Sequence, residues 1–396
     1  MDETKVLVLA ELYWPQGGGA ELATHLILKK LQKTGKFQIT VLTGVKNVEK
    51  VDGIKYIYTP HLKPRPKPLL WLFVDYMCRT KYFRKLLKEH DVVYIPRIAY
   101  PAIPHVKKSG KVVVHLHNYQ PVTYHSVYSS IDENLNNPIK FEELEHQSIM
   151  RSIAVGFLRG INNLVKYWLL QADKIVCVSR KQKEILVKHI PELAKKVEVI
   201  SNPPPEVPSI EKIVQNPPVF LYASGDSYVK GFTMVLRAIF ALEKRRTRAK
   251  FILIGKYSDK TLAILNKLHS MIKYVEVKYK GRMEHTELLK LHREAWGLLF
   301  PSILEEPLPY TVIESMVART LPIASKVGGV PEIVEGTKAE EYMFMSRSLE
   351  GLIDKIEAIL SIPREELEDI SWKLRNRALK KFNPEIIEKK LVKLFS

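Results

Sequence analysis

The stretch GLLFPSILEEPLPYTVIESMVARTLPIAS (297–325) contains two apolar runs separated by a proline-containing turn and a helical segment. Continuous apolar runs such as GLLF and LPIAS are typical of strands buried on both faces of a parallel sheet. Pro309 fits the first position of the helix between them, where a missing N–H costs nothing. The stretch therefore predicts a strand, a helix and a second strand within one α/β unit.

The same alternation of apolar runs and helical segments continues along the whole chain. It predicts an α/β protein built from two doubly wound, Rossmann-like domains that face each other across a cleft, with a C-terminal helix crossing back. The predicted strands lie at 5–13, 38–44, 91–97, 111–117, 174–179 and 197–202 in the first half, and at 218–225, 250–255, 275–281, 297–302 and 321–329 in the second.

A proline-rich segment separates the two halves. NPPPEVPSIEKIVQNPP (202–218) has six prolines and neither a strand nor a helix period, as expected of a semi-rigid linker. The predicted domains are therefore 1–202, a linker at 203–217, and 218–376. Proline at Asn383-Pro384 interrupts a helical pattern over 372–395, so residues 377–396 are predicted to pack back on the first domain.

Composition limits the classes of protein to consider. The chain has 396 residues, 46% of them hydrophobic, and a net charge of +19, as in a folded and basic protein. Its two cysteines exclude a disulfide framework, and no apolar run reaches the ~18 residues of a spanning helix. The start MDET is acidic, unlike a signal peptide. These features predict a cytoplasmic protein, with peripheral attachment to the inner membrane face as an alternative.

Two loops at predicted strand ends have the residues of an anion site. Gly17, Gly18 and Gly19 let the backbone approach a ligand just before a helix begins. An ordinary turn is the alternative, because neither a Walker ending nor a GxGxxG pattern is present. In LYASGDSYVKGF (221–232), Lys230 lies at a helix N-terminus, where the dipole disfavours a cation. It fits there if an anion is shared between the lysine and the free amides.

VVVHLHNYQPVTY (112–124) places two histidines on one face of a strand. His117 lies at the carboxyl end, where a residue of the cleft is expected, and His115 lies deeper, as a core residue. No third ligand stands at a suitable spacing and the chain contains no Asp-x-Asp pair. No metal site is therefore predicted.

Glu306 and Glu314 are the two acids of interest in the opening stretch. X-Pro bonds extend the backbone before the helix, so that Glu306 faces the cleft from the loop and Glu314 faces it from the helix. The amides of Tyr310 and Thr311 are then available to an oxyanion. The alternative is an ordinary turn with solvated glutamates.

Taken in order, these motifs resemble the retaining glycosyltransferases of family 4, which have the GT-B fold. The strongest match is the Glu-x7-Glu block, Glu306 to Glu314, and the resemblance covers essentially the whole chain. Supporting matches are GGGAE (17–21), HNYQP (117–121), ADKIVCVS (172–179), VISNPP (199–204), the Lys-Gly pair at 230–231 and GRMEHTELLKLHREA (281–295).

The resemblance implies a site for the diphosphate of a nucleotide sugar. Lys230 looks like the lysine that neutralises the diphosphate. The amides of Tyr310 and Thr311 look like the helix N-terminus under the distal phosphate. Gly18 and Gly19 would close over the phosphates from the other domain.

The resemblance also implies positions for the sugar and the nucleoside. Glu306 is similar to the glutamate beside the donor sugar, and Glu314 to the one that binds the ribose hydroxyls. Arg282 belongs to the loop placed beside the base. His117 resembles the histidine near the primary hydroxyl of the donor sugar and the reacting centre.

The function implied is a hexosyltransferase of polysaccharide biosynthesis. It would move a hexosyl unit from a GDP- or UDP-sugar to a glycan or lipid-linked acceptor, with retention of configuration and without a metal or other cofactor. Alternatives are a catalytically inactive GT-B scaffold and a sugar-nucleotide epimerase or hydrolase. A nucleic-acid-binding protein is suggested by charge alone, and Glu306 and Glu314 are unsuited to a phosphate-tracking groove, so no nucleic acid is predicted as a partner.

The positive charge suggests a second partner, an anionic membrane surface. Segment 61–90 has eight Lys/Arg against two Asp/Glu, interleaved with aromatic residues, and segment 151–170 mixes basic with bulky apolar residues. Such a composition is typical of an interfacial helix. The alternative is a pair of amphipathic helices buried against the sheet.

Two positions depart from the family pattern. An arginine that acts as a second phosphate clamp is replaced here by Ser224-Gly225-Asp226. We therefore expect Ser224, Ser227 or a basic residue of the other domain to substitute, and Asp226 to point elsewhere. Pro309 stands where the family usually has glycine, and it removes an amide that the donor would otherwise contact.

Overall fold

The computed structural model of the chain describes residues 3–108, 110–208, 211–213 and 215–396. Contacts divide it into two compact units. The first comprises Met1–Val127, Ala154–Pro205 and Phe382–Ser396, and the second comprises Tyr128–Ile153 and Glu206–Lys381. Part of the predicted linker, at 209, 210 and 214, lies outside the described residues.

These units differ from the predicted boundaries at three places. Residues 128–153 belong to the second unit, because the amide of Glu305 donates to the carbonyl of Tyr128 at 2.8 Å. The described linker residues from Glu206 onward belong to the second unit, where the buried amine of Lys212 donates to the His292 carbonyl at 2.7 Å. The C-terminal part of the first unit begins at Phe382, five residues later than predicted.

The first unit contains one parallel sheet. In the described residues, its strands are β1 (Thr4–Ala10), β2 (Phe37–Thr43), β3 (Lys55–Tyr58), β4 (Val92–Ile95), β5 (Lys111–Leu116), β6 (Lys174–Cys177) and β7 (Val197–Val199). Their order is β3-β2-β1-β4-β5-β6-β7, and the register pairs Val8 of β1 with Tyr94 of β4. Val6 to Ala10 are fully buried, as expected where helices cover both faces of a sheet.

The second unit contains another parallel sheet. In the described residues, its strands are β8 (Val219–Tyr222), β9 (Ala249–Ile254), β10 (Val275–Lys280), β11 (Ala295–Phe300), β12 (Leu321–Ser325) and β13 (Met343–Phe344). Their order is β10-β9-β8-β11-β12-β13, and Leu298 of β11 pairs with Leu221 of β8.

Helices connect most of the successive strands within each unit, and further helices follow the last strand. In the described residues they are α1 (Gly19–Lys33), α2 (Lys67–Arg79), α3 (Lys81–Lys88), α4 (Ile103–Val106), α5 (Pro138–Phe141), α6 (Ile149–Leu158), α7 (Asn162–Leu169), α8 (Arg180–His189), α9 (Phe232–Lys244), α10 (Asp259–Met271), α11 (His285–Leu291), α12 (Tyr310–Val317), α13 (Val330–Val334), α14 (Leu349–Leu360), α15 (Arg364–Lys381) and α16 (Pro384–Phe395).

The predicted fold class of two Rossmann-like domains is confirmed by these two parallel sheets. Each of the eleven predicted strands overlaps an observed one. The strands β3 and β13 were not predicted, because both are short edge strands without a continuous apolar run.

The C-terminal helix α16 packs in the first unit. The side chain of Asn383 caps it by accepting from the amides of Glu385 and Ile386. Its last apolar residue, Phe395, is fully buried and contacts the rings of Tyr94 and Phe37 edge-on, with centroids 5.0 and 6.2 Å away. The end of the chain is thereby part of the first unit's core.

Candidate active site

The second sheet has a topological switch point between β8 and β11, neighbouring strands whose connections run to opposite sides. Loops leave such a point in opposite directions and open a crevice at the carboxyl ends of the strands. The loop after β8 carries Lys230, and the loop after β11 carries Glu306. Gly231 has a φ of 82°, and a Cβ there would meet the carbonyl of Pro301. Glycine at this position therefore lets the two loops touch.

Lys230 and Glu306 form an ion pair at this crevice. The lysine side chain is 34% exposed and the glutamate side chain 15%. The hydroxyl of Ser302 donates to the same glutamate oxygen at 3.2 Å. Two residues of opposite charge, each predicted from its own motif, are thus in contact, and both side chains are partly exposed.

Glu314 lies on α12 and is almost completely buried. The Nε2 atom of His285, the first residue of α11, is 2.6 Å from Oε1 of Glu314. This hydrogen bond, opposed in part by burial and reinforced by the charge of Glu314, raises the pKa of His285. The interaction fixes the orientation of the Glu314 carboxylate. Sequence reasoning missed His285, although it lies within the GRMEH motif.

The helix α12 begins at Tyr310, and Thr311 is its second residue. The first amides of a helix point out of its N-terminus. Pro309 does not occupy the first helical position as predicted. Its ψ of 114° is extended, so it is the N-cap residue, and its carbonyl accepts from the amides of Val312 and Ile313.

The loop after β12 rests on the loop after β11. Gly328 has a φ of 50°, and a Cβ there would meet the backbone of Glu306. The amide of Gly329 donates to the Glu306 carbonyl at 2.8 Å, and the amide of Gly328 donates to the buried carboxylate of Glu305. Glu305 also accepts from the hydroxyl of Ser130. This structural role of Glu305 was not predicted. Glu305 and Glu306 are adjacent in the sequence, and the sequence does not reveal which of the two is buried.

The turn after β8 is where the arginine of the family pattern is missing. Asp226 points away, as expected, and accepts from the amide and hydroxyl of Ser258 at 2.7 and 2.8 Å. The hydroxyl of Ser227 donates to Glu145 at 2.6 Å, so it is engaged within the chain. Arg282 is exposed on the loop between β10 and α11.

The first sheet has its switch point between β1 and β4. The glycine loop follows β1, and Gly18 and Gly19 are exposed there. The amide of Gly18 donates to Glu21 at 2.7 Å. Arg97, after β4, forms ion pairs with Glu21 and with Glu11, the latter at 2.6 Å. This arginine, which sequence reasoning missed, fixes the glutamate that orients the glycine loop.

His117 follows β5 in the first unit. Its ring stacks on His115 with centroids 4.2 Å apart, and the Nδ1 atom of His115 is 2.8 Å from the hydroxyl of Tyr94. His115 is therefore a core residue, as predicted. Burial, and secondarily the charge of Arg97, lowers the pKa of His117 to about 3. The imidazole is neutral at pH 7, and its Nε2 makes no hydrogen bond within the described structure.

Neither a metal site nor a membrane span is found among the described residues. No group of three or more His, Cys, Asp or Glu side chains is arranged to hold a metal ion there. None of the helices in that part of the chain has the length and hydropathy needed to cross a membrane.

Two family models match successive parts of the chain. Residues 17–204 match Glycosyltransferase Family 4, and residues 205–377 match Glycosyl transferases group 1. No curated protein matches the sequence.

Solved structures share the fold at low sequence identity. Sucrose-phosphate synthase from Thermosynechococcus elongatus superposes with a TM-score of 0.74 at 14% identity, over 99% of this chain and 98% of that one. Anabaena HepE, in complex with UDP and glucose, superposes with a TM-score of 0.66 at 15% identity, over 99% of each chain. The catalytic domain of starch synthase IV from Arabidopsis thaliana, bound to ADP and acarbose, superposes with a TM-score of 0.67 at 14% identity. The match covers 99% of this chain and 100% of that one.

Proposed function

Because the chain belongs to the glycosyltransferases of the GT-B fold, we propose that it is a retaining hexosyltransferase. The donor is a GDP- or UDP-sugar, the acceptor is a glycan or a lipid-linked glycan, and no metal is needed. The observation that carries this proposal is the contact of Lys230 with Glu306 at the switch point of the second sheet, with Glu314 on the helix that follows.

Lys230 is the proposed diphosphate clamp. A diphosphate carries more negative charge than a carboxylate, so it competes well with Glu306 for the amine. The amides of Tyr310 and Thr311 at the N-terminus of α12 add fixed positive dipoles. Such preorganised groups stabilise the nucleoside diphosphate as negative charge develops on it during departure.

The two glutamates have separate roles in this proposal. Once Lys230 turns to the phosphate, Glu306 is free to accept hydrogen bonds from hydroxyls of the donor sugar. Glu314 keeps one oxygen on His285 at 2.6 Å and offers the other to the ribose. A site that hydrogen-bonds hydroxyls rejects analogues lacking them, because its buried polar groups would otherwise stay unpaired.

His117, a residue of the first unit, is proposed to contact the donor sugar. Its neutral imidazole has a buried Nε2 that no described residue satisfies. A neutral ring nitrogen either donates to or accepts from a hydroxyl, depending on the tautomer. These properties suit the proposed contact with the primary hydroxyl of the donor sugar.

For the acceptor, we propose a lipid-linked glycan at an anionic membrane surface. The helix α2 buries Leu70, Trp71 and Val74, yet leaves Leu72 and Tyr76 69% and 62% exposed. The adjacent α3 exposes Tyr82 together with Lys81, Arg84, Lys85 and Lys88. Exposed apolar and basic side chains together are what an interfacial helix presents to anionic lipid.

A donor screen tests the proposal. Purified protein is mixed with GDP-, UDP- and ADP-sugars, and the melting temperature is recorded, because a ligand that binds the native state raises it. We expect one nucleotide class to stabilise the protein with and without EDTA. With a lipid-linked acceptor, NMR of the product should show the donor's anomeric configuration. Free sugar as the only product would favour a hydrolase, an epimerised nucleotide sugar would favour an epimerase, and binding without turnover would favour an inactive scaffold.

A further inference from the structure

The segment 128–153, here called the strap, belongs to the second unit. At its start, the carbonyl of Tyr128 accepts from the amide of Glu305 at 2.8 Å, and the hydroxyl of Ser130 donates to the carboxylate of Glu305. Two residues on, Asp132 pairs with Arg347. The strap is thus attached next to Glu306, through its sequence neighbour.

The far part of the strap reaches the turn after β8. Residues Glu142–His146 form one π-helical turn, a rare conformation found often at functional sites. From this turn Glu145 uses both carboxylate oxygens. One accepts from the hydroxyl of Ser227 at 2.6 Å and the other from the amide of Val229 at 3.0 Å.

These contacts lie on the loop that carries Lys230. Val229 immediately precedes Lys230, and Gly231 is the N-cap of α9. The anion that this loop holds, just before the N-terminus of α9, is Glu145. The amine of Lys230 is likewise engaged by a carboxylate, that of Glu306. The loop residue that precedes Lys230 and the amine of Lys230 itself therefore both hold acids of the protein.

We propose that the strap is an autoinhibitory lid, and that Glu145 holds the anion position until the donor diphosphate displaces it. The proposal rests on the proposed function, since it requires a nucleoside diphosphate at Lys230. A phosphate beside Val229 and a carboxylate on Val229 repel each other. Donor binding and the Glu145 contact therefore compete, and the apparent affinity falls by the fraction of protein in the open state.

The test is titration calorimetry of the full chain with UDP, GDP and ADP. Glu145→Gln removes the charge and keeps the size of the side chain. If nine-tenths of the protein is closed, opening the lid tightens binding by about tenfold. Glu143→Gln is the matched control, because Glu143 lies on the same strap and pairs with Lys140 at 2.9 Å. We expect its affinity to equal that of the unchanged protein.

Equal or weaker binding by Glu145→Gln would overturn the lid while leaving the proposed function intact. If no nucleotide binds any of the three proteins, the proposed function fails, and the lid with it. Hydrogen exchange on the unchanged protein is the second measurement, since it does not depend on how a variant folds. Saturating nucleotide should speed exchange of amides in 128–153, and an unchanged strap under saturation would contradict the lid.

Discussion

The imidazole Nε2 of His285 lies 2.6 Å from the carboxylate Oε1 of Glu314, and both side chains are largely buried. The contact joins the start of α11 to α12. Oε1 of Glu314 is therefore hydrogen-bonded within the protein. His285 therefore acts on the proposed ribose contact through Glu314, as a positioning residue.

Replacing His285 by Ala is expected to raise the KM for the donor by about tenfold, with a smaller change in kcat. The reason is that Glu314 loses one orienting hydrogen bond, and about 1.4 kcal/mol corresponds to a factor of ten. Steady-state kinetics with varied donor measures the effect. His285→Gln, which keeps a donor N–H, should recover part of the affinity, and His269→Ala, exposed on α10, should change nothing. If His285→Ala binds the donor with full affinity, His285 is not a positioning residue.

The same contact predicts a pH dependence of stability. Glu314 raises the pKa of His285 above its ordinary value of 6.5. The stabilisation is then fully present below pH 6.5 and is lost as the pH rises through the folded-state value. Urea unfolding at several pH values from 5.5 to 9, for the unchanged protein and His285→Gln, is the measurement. The difference in unfolding free energy between the two proteins should narrow as the pH rises. A difference that widens would contradict a raised pKa of His285 in the folded state.

Glu306→Gln and Lys230→Ala are each expected to lower kcat/KM by about 100- to 1000-fold, the range seen when one preorganised transition-state contact is removed. Radiolabelled sugar transfer measures this. Lys244→Ala is the control for the lysine, because Lys244 is exposed at the other end of α9. Full activity in both site variants would refute the site.

Glu305→Ala is expected to destabilise the second unit by about 1–3 kcal/mol. It removes the acceptor for the amide of Gly328 and the hydroxyl of Ser130, and an unsatisfied buried donor costs about that much. Urea titration with an unchanged m-value would report it. Glu184→Ala, on the exposed face of α8, should fall within about 0.5 kcal/mol of the unchanged protein.

Flotation with vesicles containing phosphatidylglycerol is expected to carry the protein upward at low salt and to lose it at high salt, because salt screens exposed charges. The double variant Leu72→Glu, Tyr76→Glu should bind several-fold less. Ile264→Glu, an exposed apolar position on α10, is the control. If the unchanged protein stays entirely at the bottom of the gradient, it has no affinity for this surface.

Much of the fold was predictable because the signals are local. Continuous apolar runs mark strands covered on both faces, and prolines and glycines mark the turns between strand and helix. Lys230 and Glu314 could be selected for the same reason, since Lys230 lies just before the start of α9 and Glu314 lies on α12. The strands β3 and β13 were missed because they are short and carry no continuous apolar run.

The sequence by itself determined two parallel sheets and the loops that carry the candidate site. Only the tertiary structure decided which side chains of those loops meet. Lys230 contacts Glu306 across 76 residues, and Glu145 contacts Ser227 across 82. Contacts at such separations depend on the order of strands in a sheet and on the unit against which a segment packs. The local periodicity of the sequence reveals neither the strand order nor the packing partner, because it indicates only which face of a helix or strand is buried.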